Sequence, residues 1–561
     1  MKNKSVRRIA TALAVSLGAF TFTACGGKVI DEIDETKTQL YISAYEAGYG
    51  TKWLEEFAAE FEELYKDESF EDGKIGVDVR LDWNQDNYSQ LITKMPLSQN
   101  ALYFNAVNYY ELANSGYAMN FNDIVKTPLS EFGESDKTIE DKIPAAAKEF
   151  YKSYDGNYYA APSYETYEGI QYDISLFEEK KLYFADTATR QWTSGLEGDL
   201  AKSAGPDNEK GTYDDGLPAT YNEFFELCDQ MVRKNVIPFV WGGTQVHYGD
   251  MLTQALWTKF EGYDQMNLNF TFNGTATDLI NVSGGAVTPL GDVQINNANG
   301  YMLTKQEGIY RALEFMKKLS DNTKYYYGDS FSQNLDHIGA QERYLYSRFD
   351  EKSKPIAFLV EGTYWQEEAS SLFESVNNRY GTNDEYTVEN RRYGFMPLPH
   401  YNAAQAEKNH YKNTLTASSA ICFGNNTVSD VQKTLAKKFV QFISTDKKVY
   451  DFYKMNHYAR GLNVEFTPEQ LDSLNYYAKS LYEAKKNSDI VYPFSANQFW
   501  LKYSASVFNF RRADVDGYVF NAGATLRSPV YNFNEDASLT AEKFFNEMYT
   551  NMQKKWADLK V

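Results

Sequence analysis

Leu40, Ile42 and Ala44 alternate with polar neighbours, the two-residue period of a half-buried strand. The turn Tyr45-Glu46-Ala47-Gly48-Tyr49-Gly50 follows, and the period then lengthens. Trp53, Leu54, Phe57, Ala58, Phe61, Leu64 and Tyr65 share one helical face, while Glu55, Glu56, Glu60, Glu62 and Glu63 occupy the other. Ile75, Val77, Val79 and Leu81 return to period two and predict a second strand. This order recurs along the chain, which predicts an α/β protein with mainly parallel sheets flanked by helices. Thr220 with Glu223, Thr304 with Glu307, Ser429 with Gln432 and Thr467 with Gln470 have capping-box spacing, with Pro468 placed for a first helical turn. Phe224, Leu227 and Met231 form an apolar stripe that takes in Cys228 as a core residue, and Val431, Leu435, Phe439, Phe442 and Ile443 form another. Residues 263–300 turn to Asn, Thr and Gly, which predicts an insertion of loops and short strands.

The first residues follow a different pattern. Lys2, Lys4, Arg7 and Arg8 precede an apolar run over residues 9–22, closed by Phe22-Thr23-Ala24-Cys25-Gly26. That run is too short and too rich in Ala, Thr and Ser for a bilayer span of about 20 apolar residues. It reads as an export signal, residues 1–24, ending in a lipobox-like cysteine. Cys25 would carry the lipid, and residues 25–38, acidic in their middle, would tether it to the folded chain. Removing residues 1–24, with four positive charges and no acid, takes the formal charge from −21 to −25. Such a field repels phosphate backbones and anionic lipid heads, so nucleic acid is excluded as a partner and any membrane link is covalent. Cys228 and Cys422 are too few for a disulfide framework. The 45 Tyr, 36 Phe and 8 Trp fill cores and also suit ligands with one apolar face and several hydroxyls.

Enzyme chemistry finds no support. The chain has no P-loop, no His-Glu-x-x-His, no Gly-x-Ser-x-Gly and no Cys/His zinc spacing, and its five histidines are scattered. Glu367 and Glu368 are adjacent, so on a helix they point apart and make a poor glycosidase pair. Asp207, Glu209, Asp214 and Asp215 around Gly211 and Gly216 admit a calcium reading, but the spacing departs from the EF-hand order and falls short of six to eight ligands. No cofactor is expected, with calcium in that loop as the one candidate.

Seven segments in order resemble the family 1 extracellular solute-binding proteins of ATP-driven importers. They are the turn Glu46-Ala47-Gly48-Tyr49-Gly50, then Asp155-Gly156-Asn157-Tyr158-Tyr159-Ala160-Ala161-Pro162, then Gly169-Ile170-Gln171-Tyr172-Asp173. Residues 211–221, Glu361-Gly362-Thr363-Tyr364-Trp365, residues 393–399 and residues 435–443 complete the series. Asp173 stands where Asn is usual, and Ala101-Leu102-Tyr103-Phe104 replaces a Pro-Asp-Ile/Leu strand. The resemblance implies a two-lobe fold with mainly parallel sheets and a ligand cleft between the lobes, shut by hinge bending. It maps residues 39–162 and 396–426 to an N-terminal lobe, and 163–395 and 427–561 to a C-terminal lobe.

A sugar ring presents flat C–H faces and a rim of hydroxyls, so its site needs aromatic plates with carboxylates and amides. Loops at cleft-facing strand ends offer Glu46, Tyr49, Trp83, Asn108 and Trp241. Trp365 follows the apolar strand over residues 356–360, and the resemblance adds Glu165, just past the crossing proline, and Trp500, whose segment is similar to one supplying a stacking tryptophan in the maltose-binding member. The expectation is a monomeric lipoprotein at the extracellular face of the cell membrane, with no chemistry of its own. It captures an oligosaccharide and delivers it to the permease subunits of an ABC importer with a cytoplasmic ATPase. Two other readings stay open: a glycan-degrading or glycan-adhesive surface lipoprotein, and the same receptor fold for a peptide or polyamine.

Overall fold

The computed structural model describes residues 33–560 other than 106–108, 154, 245–246, 494, 496 and 504–528. Residues 1–24, expected as an export signal, together with Cys25 and Asn108, therefore lie outside the described residues. The alternation at Leu40, Ile42 and Ala44 becomes strand β1 (Thr38–Tyr45), with those side chains buried. Helix α1 (Lys52–Leu64) buries Trp53, Leu54, Phe57, Ala58 and Phe61. Leu64, expected on that face, ends 51% exposed at its rim. β2 (Val77–Asn84) begins past Ile75, which stays exposed. β2 and β3 (Leu102–Asn105) flank β1, each parallel to it.

The chain then runs into β4 (Ala161–Asp173), whose 13 residues span two parts of one ten-stranded sheet. Beyond it come β5 (Ile237–Val240), α2 (His247–Thr271), α3 (His337–Tyr346), β6 (Ile356–Gly362), α4 (Trp365–Glu368), β7 (Tyr393–Met396) and β8 (Asn413–Gly424). α5 (Asp430–Ile443), α6 (Asp446–Asn456), β9 (Ala459–Arg460), α7 (Tyr476–Lys486) and β10 (Ser488–Val491) follow. The strand order is β2-β1-β3-β8-β4-β6-β5, with β7 and β9 also on β4 and β10 on β8.

Register explains the two lobes. Residues 161–167 of β4 pair antiparallel with β8, whereas Glu168–Tyr172 pair with β6 and Ile170–Asp173 with β7. β8 crosses the opposite way: residues 413–416 pair with β10, and residues 421–424 pair with β3 in the first lobe. β9 pairs with β4 at Tyr164 and Glu165, giving a third strand at the crossing.

Packing departs from the expected division of the chain. α5 and α6, expected in the C-terminal lobe, sit on the first lobe, with Phe439 at 5.1 Å from Phe61 and Phe452 at 5.2 Å from Trp53, centroid to centroid. Their apolar stripes complete the face that α1 leaves uncovered. Residues 397–412, expected in the N-terminal lobe, stay with the second, where Gln405 donates to the Phe260 carbonyl at 2.9 Å. The second core is dominated by rings such as Phe224 and Phe358, 5.6 Å apart.

Helix starts follow the sequence at Thr220, Ser429 and Thr467, each accepting from the backbone N–H three residues on. Thr304 differs, since its hydroxyl turns back to the Tyr301 carbonyl and the helix begins after Gln306, which makes no side-chain cap bond. Residues 263–271 also differ: α2 continues through them past a break at Gly262 (φ 71°), because Met266 and Phe270 reach the core. The rest of that insertion, residues 274–295, is two small antiparallel strand pairs, as its composition predicts. Asp173, the Asn replacement, caps the next helix at Leu176 N–H and pairs with Arg348 and Arg391.

Candidate functional site

Three tyrosines from three elements meet where the lobes adjoin. Tyr49 comes from the turn after β1, Tyr164 from the crossing strand and Tyr364 from the loop after β6. The Tyr49 ring lies 4.5 Å from Tyr164 and 4.8 Å from Tyr364. Its carbonyl accepts from Tyr458 Oη at 2.7 Å and Asn456 Nδ2 at 3.1 Å, which ties the turn to the crossing segment. Burial, and next the Tyr45 phenol, push Tyr49 up to about 12, so it stays neutral and can both donate and accept.

The same turn presses on α4 of the other lobe. Gly48 and Gly50 both have φ 82°, a left-handed conformation that suits glycine. A Cβ on Gly48 would stand 2.4 Å from Glu368 Oε1, and one on Gly50 2.5 Å from Glu367 Cγ. Only a turn without side chains there can approach so closely.

Behind the turn lie three carboxylates. Glu361 is fully buried at the end of β6, accepting from Gly362 N–H at 3.0 Å and Gln341 Nε2 at 3.4 Å. Burial, then the Glu368 charge, hold it well above the usual carboxylate range. Glu368 accepts from Gln341 Nε2 at 2.6 Å and faces His337 Nε2 at 3.4 Å. Glu367 is raised to about 7, chiefly by burial. The contact with Glu368 raises His337, whose ring stacks on Tyr248 at 5.6 Å. The arrangement is rich in acceptors and walled by phenol rings, suited to binding a solute with many donors.

The residues expected from the sequence divide sharply. Tyr49 is at the junction; Glu46 is exposed on the same turn, and half-buried Trp83 lies opposite Ala44 near the end of β2. Glu165, expected in the cleft, is instead fully buried on the other face of β4, paired with Lys485 at 3.2 Å and bonded by Tyr167 and Tyr492. Neighbours on a strand point to opposite faces, so the cleft side belongs to Tyr164. Trp241, Trp365 and Trp500, expected as stacking plates, are 1%, 0% and 5% exposed. Trp365 is enclosed by Tyr344, Phe373, Tyr393 and Tyr477 at 5.1 to 5.8 Å. Trp241 packs on Phe331 and Tyr326, and Trp500 on Phe270. Each closes a hydrophobic core, where large rings gain most from burial.

Sequence reasoning missed Tyr164, Tyr364, Tyr248, Gln341 and Glu361. Tyr364 adjoins Trp365 in a segment already marked by resemblance, and the signal for it was the loop position, before the helix turns inward. In the acidic loop, Asp214 accepts from Thr212 Oγ1 at 2.8 Å and Asp207 N–H at 3.2 Å, while Asp215 accepts from Gly211 N–H at 2.8 Å. The loop's own donors occupy these oxygens. Among the described residues no group of three His, Cys, Asp or Glu side chains is placed to hold a metal ion, and no helix is long and apolar enough to cross a membrane.

Comparison with known proteins agrees with this architecture. A chitin oligosaccharide binding protein superposes with TM-score 0.52 at 15% identity, covering 92% of this chain and 99% of the other. Apo RafE from Streptococcus pneumoniae gives 0.53 at 12%, covering 92% and 98%, and maltose-bound MalE3 of T. maritima gives 0.50 at 13%, covering 92% and 100%. At these identities the likeness establishes the two-lobe fold. No curated protein matches the chain. The model of a family described as bacterial extracellular solute-binding protein matches residues 57–463, most of the length, and with the crossing strands and the junction between lobes this places the chain in that family of binding proteins.

Proposed function

We propose that the protein is the receptor of an ABC importer, capturing an oligosaccharide between its lobes and delivering it to permease subunits driven by a cytoplasmic ATPase. The observation that carries this reading is the meeting of Tyr49, Tyr164 and Tyr364 at the junction, each on a different element. Phenol rings offer flat apolar faces with polar edges, which match the C–H faces and hydroxyls of a sugar. Lobes that meet through rings from both sides bind best when closed, so ligand favours the closed arrangement. The names of similar structures, which include chitin oligosaccharide, maltose and raffinose, support a carbohydrate ligand. In this reading Cys25 carries the lipid that holds a monomeric receptor outside the cell, and Glu46 and Trp83 line the outer part of the cleft.

Isothermal calorimetry against a panel of oligosaccharides tests it. One-to-one binding is expected, weakened in Tyr49→Ala and Tyr364→Ala and accompanied by a rise in melting temperature that follows ligand concentration. Release of a shortened sugar during titration, or the absence of binding to every glycan, would refute the receptor reading.

A further inference from the structure

We infer that the protein has a second small-molecule site, a cavity behind the crossing strands that takes a neutral polyol of disaccharide size and, when filled, favours closure of the cleft. The cavity has a volume of about 720 Å³, within the range of about 300–1,000 Å³ usual for ligand sites. Its walls come from three parts of the molecule. Residues 144–146 and Tyr453 of α6 belong to the first lobe, Tyr263 and Asp264 of α2 to the second, and residues 462–466 to the segment that follows β9. α7 and β10 complete it, and there Lys485 reaches Glu165 at 3.2 Å. Glu165 lies on the face of β4 turned away from Tyr164, so the cavity and the cleft are on opposite sides of the hinge.

The chemistry of the lining selects the ligand. Its charges are already matched: Lys485 with Glu165, Lys486 with Glu465 at 2.6 Å and Asp489 with Lys412 at 3.5 Å. Exposed Asp264 is the one lining charge with no ion pair among the described residues. What stays open is hydroxyl capacity. Tyr453 is 2% exposed and lines the cavity, yet its phenol makes no hydrogen bond among the described residues, and neither does that of Tyr263. A phenol donates and accepts, which complements an alcohol better than an ion, and an apolar ligand would leave the Tyr453 hydroxyl unmet. Phe466 and Tyr482, stacked at 4.6 Å, supply with Ile490 the apolar surface for the C–H face of a ring.

Position gives the site its effect. Because the walls belong to both lobes, hinge bending changes the cavity. Lobes that meet at Tyr49 and Tyr364 on the cleft side stand apart on the opposite side, and opening the cleft narrows the cavity behind it. A polyol that fills the cavity therefore favours the closed arrangement, and by linkage a solute in the cleft and one in the cavity strengthen each other's binding.

Calorimetry and saturation-transfer NMR of the purified protein with trehalose, cellobiose and myo-inositol test the site. Saturable binding of at least one is expected, retained in the cleft variant Tyr364→Ala and lost in Ala146→Trp, where an indole at an exposed lining position fills the cavity. Tyr453→Phe should weaken it about fivefold, the worth of one hydrogen bond, and by keeping the ring it reads the site even if the indole disturbs the fold. No saturable binding of any of the three overturns the site. Binding that Tyr364→Ala abolishes and Ala146→Trp leaves intact also overturns it, while the receptor reading stands. With the bound polyol at saturation, the radius of gyration of Tyr364→Ala should fall, and an unchanged radius overturns the coupling to closure.

Discussion

Glu165 and Glu361 are equally buried, at 0% exposure, yet they are finished in opposite ways. Glu165 meets Lys485 and two tyrosine hydroxyls behind the crossing strand, so its charge is matched inside the protein. Glu361, at the junction of the lobes, is given a backbone N–H and a long amide contact and no basic side chain, and the second acid Glu368 stands beside it. Glu165 meets its burial with a cation and two hydroxyls, whereas Glu361, held well above the usual carboxylate range, meets it by keeping its proton. The crossing strand keeps its two faces apart, with Glu165 turned to the frame and Tyr164 to the cleft.

The largest effect expected from this contrast is on stability. Glu165→Ala leaves Lys485 buried and unpaired, which should cost about 3–5 kcal/mol in denaturant unfolding. Glu361→Gln should cost far less, under about 1 kcal/mol, because an acid that its surroundings keep protonated is replaced by an amide of similar shape and no ion pair is lost. Equal losses would erase the distinction. On binding, Tyr49→Ala and Tyr364→Ala should weaken oligosaccharide affinity about tenfold to hundredfold by calorimetry, with the melting temperature nearly unchanged. Gly48→Ala sharpens the comparison by acting on the turn that shuts over Glu368. Its left-handed backbone costs about 1–2 kcal/mol for any other residue, so affinity should fall about tenfold.

The smallest effect is one of pH. Glu367 sits near 7 in the folded chain against an ordinary 4.5. A raised value means the folded chain holds the proton more tightly, so the stability this adds is complete below about pH 4.5 and is lost as pH rises through 7. The ligand-free melting temperature should fall by a few degrees over that interval, and Glu367→Gln should flatten the decline.

Where local rules decide, the sequence was enough. Helix α1, the caps at Thr220, Ser429 and Thr467, and the order of the lobe segments follow from periodicity, capping oxygens and resemblance. Choices between faces were not legible. Glu165 and Tyr164 differ by one residue, and which faces the cleft depends on β8 and β9, hundreds of residues away in sequence. The tryptophans mislead for a related reason: Trp365 follows a strand end as a binding residue would, but the first turn of α4 rotates it into a cage of four rings, while Tyr364 stays at the junction. The placement of α5 and α6 likewise depended on the uncovered face of α1, which only the tertiary arrangement reveals.

Small-angle X-ray scattering of the protein titrated with the oligosaccharide that calorimetry selects tests the central claim most directly. The account expects the radius of gyration to fall on saturation as the lobes close on the ligand, with Tyr364→Ala needing more ligand to reach the same value. A scattering profile identical with and without saturating ligand would contradict a receptor that closes on its solute.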